Sequence, residues 1–280
     1  MIEPRRRDAP GLFAELALVA AASALVGVVA YAFAADADPI DAAVDEADVD
    51  GSGDDAAVDL DDGATADPDA DAAAVVASAA EAMGAVTSVE FHLERDGAPV
   101  YIDEFDSLAL DQMLGQFTVP NRAQAQLTVT VDGDLTTEIG AVSVDGDVWI
   151  SNPVTGDFET LPPGFDIDPS DFFDPAGGWQ PLLASLRDVA LVGIDDRGGE
   201  RYHVRAIAPA AEVESITVGL VRDADVPVDL WIHPTTFLVT HLEFETTIDG
   251  AESQWSIDLD RYGDTFTIAP PLNVREDGEG

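Results

Sequence analysis

The chain has 280 residues and no cysteine, and its 56 acidic against 12 basic residues give a formal charge of −44. With every cation an arginine and none of them in a large cluster, nucleic acid and anionic lipid surfaces are poor partners; disulfides and thiolate metal sites are excluded outright. Such acidity reports a solvation strategy, as in a salt-rich habitat, more readily than a charge-recognised partner, and says little about fold.

Arg5, Arg6 and Arg7 precede an uncharged stretch from Leu16 to Ala35. About twenty helical residues at ~1.5 Å each match the ~30 Å hydrocarbon core of a bilayer. The arginines hold that end in the cytoplasm, which puts everything after Ala35 outside. The same residues fit a secretory signal, with Leu16 to Val29 as its apolar region and Ala32-Phe33-Ala34 as a small-x-small cleavage site. Residues 1–35 are therefore a transmembrane anchor if retained and a signal peptide if removed.

Residues 36–71 carry fifteen acidic residues and no basic one. Without apolar periodicity this is expected to be a disordered, self-repelling linker, spanning about 30–35 Å as a flexible coil. Asp48 to Asp59 has the 1, 3, 5, 6 and 12 spacing of a calcium loop. However, position 12 is Asp, Asp55 replaces an apolar residue and no helix flanks the run, so the match carries little weight in a tract so rich in Asp.

From Asp71 onward the patterning becomes that of a folded domain, expected over 72–272 with a tail at 273–280. Asp71 precedes an amphipathic helix expected over Ala72 to Ala85, with Val75, Val76, Ala79 and Met83 repeating at helical spacing. Strands then dominate. Val89, Phe91 and Leu93 alternate with Glu90, His92 and Glu94, and Ala123 to Val131 alternates likewise up to the Asp132-Gly133 turn. Asp145-Gly146 and Asp249-Gly250 mark further turns. Later strands are predicted at Tyr202–Ala206, Ile216–Leu220, Val228–Ile232, Leu242–Ile248, Trp255–Leu259 and Phe266–Ile268, with a second helix over Trp179–Leu191. Clean alternation implies an antiparallel sheet with one apolar face, and a face this long needs cover from only two or three helices. The fold class is α+β, a strongly curved antiparallel sheet wrapped around helices.

Little in the chain points to chemistry. His92, His203, His233 and His241 all fall on predicted strands or strand ends, and no HxH, HExxH or close His/Asp cluster joins them, so no metal site is expected. There is no GxSxG elbow and no phosphate loop around Gly193, Gly198 and Gly199. Asp195-Asp196 beside Arg197-Gly198 reads as a turn. Neither an enzyme nor a cofactor is expected. Trp149 and Trp231 lie out of phase with their neighbours, and Phe172, Phe173 and Trp179 cluster at the entry to the second helix; such aromatics are core, edge cover or the wall of a ligand cavity.

Five turn phrases, taken in order, carry a resemblance: Phe117-Thr118-Val119-Pro120-Asn121-Arg122-Ala123, Val144-Asp145-Gly146-Asp147-Val148-Trp149-Ile150, Asn152-Pro153-Val154-Thr155-Gly156, Phe172-Phe173-Asp174-Pro175-Ala176-Gly177-Gly178 and Val228-Asp229-Leu230-Trp231-Ile232. Over roughly residues 74 to 271 the chain resembles the LppX/LprG-type lipoproteins. The resemblance implies a half-barrel similar to LolA and LolB, with an apolar cavity between sheet and helices. It departs in one respect: those proteins are lipidated on a cysteine after their signal, and this chain has none. The implied function is an extracytoplasmic, membrane-tethered carrier that shields the acyl chains of lipids or glycolipids, with the plasma membrane and a membrane exporter as partners. By inward phase, the cavity residues are Phe91, Leu93, Leu127, Val129, Leu182, Leu183, Leu186, Val204, Phe244 and Trp255. The alternative is a sensory or regulatory domain of the same fold that binds another protein at the membrane surface.

Overall fold

The chain divides into two units, Met1–Ser52 and Gly53–Gly280. A computed structural model describes residues 57–60, 63–102, 106–131, 133, 135–160, 178–216, 221, 224–248 and 250–275, all in the second. The export segment 1–35, the linker up to residue 56, and the calcium-like run except its last three residues lie outside the described residues, as do Phe172 to Gly177. Among the described residues no helix is long and apolar enough to cross a membrane.

Helix α1 spans Ala72–Gly84, where alanine favours helix and the Asp71 carboxylate accepts from the Ala73 and Ala74 amides at 2.9 and 3.1 Å. Val75, Val76, Ala79, Ala80 and Met83 form its buried face. Six strands follow in a meander: β1 (Ser88–Gly97), β2 (Leu108–Thr118), β3 (Arg122–Val131), β4 (Leu135–Val144), β5 (Asp147–Ser151) and β6 (Phe158–Thr160). Helix α2 (Trp179–Ser185) opens a second run with β7 (Arg187–Asp196), β8 (Glu200–Ala208), helix α3 (Ala210–Ile216), β9 (Val226–Ile232), β10 (Val239–Ile248) and β11 (Ala251–Asp260). The two runs join through β1 and β11, which pair antiparallel from Glu90 opposite Asp260 to Gly97 opposite Ser253. The result is one open antiparallel sheet, ordered β6-β5-β4-β3-β2-β1-β11-β10-β9-β8-β7. The expected half-barrel is present: α1 and α2 pack on each other and cover the apolar face, with α1 reaching β7 and α2 reaching β8 and α3.

The β4–β5 hairpin turns at Asp145 and Gly146, with φ of 56° and 96°, the left-handed pair that a tight two-residue turn requires. Tyr262, just past β11, is fully buried and its hydroxyl donates to the Val239 carbonyl at 2.5 Å. Burial pushes that phenol well above the ordinary tyrosine value, so it serves as a neutral donor tying the end of β11 to the start of β10.

The structure departs from the sequence-based elements at four places. Helix α2 stops at Ser185 instead of running to Leu191: Leu186 is extended at φ −55° and ψ 138°, and Arg187 onward pairs with β8. Val189, Leu191 and Ile194 suit either period, and the open edge of β8 decides for strand. Helix α3 is new, and the predicted strand 216–220 begins at its last residue and otherwise lies outside the described residues. Phe266 to Ile268 is irregular, although Ile268 is buried against Val142 and Val144 on the opposite side of the sheet, beside Trp149, Phe158 and Phe266. Finally, residues 57–60 and 63–70, assigned by charge to the linker, lie on the domain. The Val58 amide donates to the Tyr262 carbonyl at 2.8 Å and the Arg201 guanidinium to the Leu60 carbonyl at 2.9 Å. The Ala66 amide donates to Glu200 at 2.8 Å and that of Asp67 to the Tyr202 hydroxyl at 3.1 Å. These hydrogen bonds, with Ala66 buried, offset the self-repulsion of the acidic tract.

Two positions test this architecture. Gly115 sits on β2 opposite Phe91, and a Cβ there would run into the Phe91 ring and lie 2.8 Å from the Gln124 carbonyl oxygen. Gly115→Ala is expected to lower unfolding free energy in urea by about 1–3 kcal/mol, and Phe91→Leu in the same chain to recover part of the loss. An unchanged midpoint would contradict the close approach. The β1–β11 pairing also sets Asp260 against Glu90. Desolvation first, then the Glu90 charge, raises the Asp260 carboxyl above its ordinary value. A raised carboxyl means the fold favours the protonated form, so the ionised group weakens the fold as pH rises through that value. Asp260→Asn should therefore raise the Tm at neutral pH, by up to about 1 kcal/mol equivalent for a like-charged cross-strand pair. The gain should fade in acid; an equal gain at pH 3 and pH 7 would sink the electrostatic explanation.

Candidate functional site

All ten predicted cavity residues lie on the covered face of the sheet or on the helix above it. Phe91, Leu93, Leu127, Val129, Leu182, Leu183, Val204 and Trp255 are buried, while Leu186 and Phe244 are partly buried, and all ten belong to one contiguous apolar cluster. The register explains how residues so far apart in sequence meet. Leu127 lies opposite Met113 on β2, Met113 opposite Leu93, and Leu93 opposite Ile257 on β11. The row continues through Leu242 and Leu230 to Val204 on β8. One apolar row thus crosses seven strands without a break. A neighbouring row pairs Phe244 with Trp255, their rings stacked at 5.5 Å and 6°, and the Trp255 indole donates to the Thr246 hydroxyl at 3.0 Å. That hydrogen bond satisfies the only polar atom of an otherwise apolar side chain.

Leu186 is the one predicted residue whose setting differs: it caps α2 in an extended conformation instead of continuing the helix. Alternation alone missed Met113, because a register shift between Leu110 and Gln112 breaks the period of β2 and leaves Leu114 exposed. Tyr262 was missed because it stands outside any strand.

The opposite face is polar, and it corrects one sequence-based expectation. His203, Trp231, His241, Asp258 and His92 occupy successive strands in a single row, because each lies opposite the next across β8, β9, β10, β11 and β1. Three of the four histidines therefore do join a cluster with carboxylates. His203 stacks on Trp231 at 4.5 Å and 11°, with its ring nitrogens 3.3 Å from Asp195 and 2.7 Å from Asp229. His241 meets the same indole edge-on at 4.9 Å, with its nitrogens 2.6 Å from Asp258 and 2.9 Å from Glu243. The Arg197 guanidinium covers Trp231 at 4.2 Å from the ring centroid, and the indole donates to Asp195 at 2.9 Å. The hydrogen bond from His241 holds the Asp258 carboxyl below its ordinary value, so its contribution to stability is present at neutral pH and is lost as pH falls through that lowered value. His233 stands apart in the β9–β10 turn, where its Nδ1 accepts from the Thr235 and Thr236 amides at 3.3 and 3.2 Å.

Two concavities indent this polar side. One, of about 740 Å³, lies between the 58–60 segment and the outer surface near His92, Leu114, Asp258 and Arg261; the other, of about 670 Å³, is bordered by Glu94, Asp229, Glu243, Glu245 and Gln254. Among the described residues no group of three or more His, Asp or Glu side chains is placed to hold a metal ion. What the arrangement offers chemically is therefore an apolar face for apolar matter, backed by a surface of paired charges.

Comparison with known proteins agrees with this geometry. The profile of the LppX_LprAFG lipoprotein family matches residues 71–268. A search of curated proteins finds no match. Among solved structures, LprF from Mycobacterium bovis is similar with a TM-score of 0.57 at 15% identity, covering 71% of this chain and 96% of that one. LppX from Mycobacterium tuberculosis aligns at 12% identity with a TM-score of 0.49, over 70% of this chain and 97% of its own. A LolA superfamily protein from Nitrosomonas europaea aligns at 11% identity with a TM-score of 0.25, over 68% and 93%. The open half-barrel, its roofed apolar face and the match over most of the domain together place this chain, cysteine-free as it is, in the LppX_LprAFG lipoprotein family, with the extracytoplasmic lipoprotein type of lipid-binding fold.

Proposed function

We propose that the domain is an extracytoplasmic lipid-transfer protein, held at the outer face of the plasma membrane by residues 1–35 or released if they are cleaved. The observation that carries this reading is the uninterrupted apolar row from Leu127 to Val204 on an open sheet, roofed by α1 and α2. An acyl chain would lie against Phe91, Leu93, Leu127, Val129, Val204, Phe244 and Trp255, with Leu182, Leu183 and Leu186 moving aside above it. The mechanism is passive. Exposing an acyl chain to water costs about 0.8 kcal/mol per methylene, hence on the order of 12 kcal/mol for sixteen carbons. A dry apolar enclosure removes most of that barrier while the lipid crosses an aqueous gap, without a cofactor or covalent step. A membrane exporter that hands over or receives the lipid is the partner this role calls for.

A second reading has its own support. The ten residues already pack in one contiguous cluster, as in a half-barrel that works shut and binds another protein through its surface. Native mass spectrometry separates the two readings, using the full chain purified from its own host before and after organic extraction. The carrier reading expects a discrete added mass that leaves with the solvent and is recovered as an acylated lipid. An apo mass that takes up no acylated probe would overturn it in favour of the protein-binding domain. Val129→Trp, which fills the apolar face, should lower the bound-lipid fraction severalfold at a cost of about 1–3 kcal/mol in stability.

A further inference from the structure

We infer that Arg95 is a positioning residue for lipid entry: it latches the β1–β2 connection over one end of the apolar face, and cargo passes at that end when the latch lets go. This rests on the lipid-transfer reading and concerns where and how the enclosure opens.

The two ends of the covered face differ. Three neighbouring strands change character at the same level, since Leu93 is followed in the inward phase by Arg95, Phe244 by Thr246, and Trp255 by Ser253 going back along β11. The register brings them together, with Arg95 opposite Trp255 and Thr246 opposite Ser253. At the other end the same strands finish on Val89, Val239 and Leu259, all buried in the main apolar cluster, where the buried Tyr262 ties down Val239. Polar side chains keep hydrogen-bond partners when water arrives and apolar ones lose their cover, so the end at Arg95 opens at lower cost.

The β1–β2 connection folds back on itself there. The Ile102 amide donates to the Leu108 carbonyl and the Leu110 amide to the Val100 carbonyl, both at 2.9 Å, and Tyr101 pairs with Ala109. Val100 and Ile102 are buried in the main cluster. At the base, the Ala98 amide donates to the Glu252 carbonyl at 2.8 Å and the Ala98 carbonyl accepts from the Ser253 hydroxyl. The Arg95 side chain, 5% exposed, donates to the carbonyls of Gly97, Ala98 and Leu110 and to the Asp111 carboxylate at 2.9 Å. Asp111 is the extra residue of the β2 bulge, and the Thr130 hydroxyl donates to it at 2.6 Å.

These four acceptors all belong to residues 97–111, the two limbs of one connection. Burying a guanidinium at an inward position is costly, and an apolar side chain there would often be as stable or more so. What the arginine supplies is a hold that breaks and reforms without repacking. Once it lets go, an entering acyl chain takes over the apolar contacts of Val100 and Ile102, and the area kept from water changes little.

The test uses the full chain, phosphatidylcholine vesicles carrying a pyrene-labelled diacylglycerol, and unlabelled acceptor vesicles. Stopped-flow fluorescence gives uptake and release rates, and the bound fraction is measured at equilibrium. Arg95→Met is expected to speed uptake and release alike by about tenfold, the factor that a hydrogen bond to a charged group converts to, with the bound fraction unchanged. Arg95→Lys keeps a charge for Asp111 without the fork of donors and should fall between. Hydrogen exchange at the Ile102 and Leu110 amides should rise with the rates, while that of β8 stays as it was. If Arg95→Met does not fold, Arg95→Lys and Asp111→Asn carry the same comparison. Rates equal to those of the natural sequence overturn the inference and leave the carrier reading standing. Faster release alone, with a matching fall in the bound fraction, makes Arg95 part of the wall and overturns the latch. A natural chain that takes up no label overturns the carrier reading, and this inference with it.

Discussion

The pairing of β1 with β11 is the constraint on which the rest depends. It joins strands more than 150 residues apart in the chain and sits in the middle of the sheet order. Without it the molecule would be two separate meanders, each with an extra exposed edge and half an apolar face. With it, Leu93 meets Ile257 and the apolar rows of the two halves become one surface broad enough to need a roof of helices. Just past β11, the Gly263 amide donates to the Ser88 carbonyl at the start of β1, and Tyr262 ties the same end of β11 to Val239 on β10. The same pairing sets Glu90 beside Asp260 and His92 beside Asp258, so the seam is well matched on the apolar side and electrostatically mixed on the other.

The two faces solve different problems with the same alternation. On the covered side only Trp255 among the predicted wall residues has a polar atom, and it is satisfied locally by Thr246. On the open side a tryptophan, Trp231, is 4% exposed although it points away from the main core. It is buried by charge: an arginine over one ring face, imidazoles stacked and edge-on, and an aspartate on the indole nitrogen. Arg197 is held in turn by Glu243 on β10, His203 by Asp195 and Asp229 on the strands to either side, and His241 by Asp258 and Glu243, so that these pairs act as cross-strand rivets. Surface pairs of this kind contribute little one at a time, but here they form a connected network around a buried ring.

Much of the fold could be read from local pattern because local pattern is what antiparallel strands obey. β1, β3, β8, β9, β10 and β11 alternate cleanly, α1 announces itself by Asp71 and its alanines, and Asp145-Gly146 makes the turn that two left-handed residues dictate. The inward phase of the wall residues followed from the same alternation. What stayed hidden depended on tertiary partners. Residues 187–196 become strand only because β8 has an edge to offer, and the bulge in β2 disguises Met113 and Leu114. The histidine row was invisible for a different reason. His92 and His241 become neighbours only through Asp258 on the strand between them, which no spacing rule along the chain can express.

The segment 57–70 has a mechanical meaning. Glu200, Arg201 and Tyr202, the first three residues of β8, each hold it, and the Tyr262 carbonyl holds it at Val58. Tension arriving along the chain from its N-terminal side would thus load Val58 and Leu60 first, and pass through them into the sheet. Helix α1, which roofs the apolar face, starts only at Ala72 and stands behind that anchorage. The segment is a strain relief, like the clamp where a cable enters its housing: a pull on the chain is borne by the sheet, and the roof over the apolar face is spared.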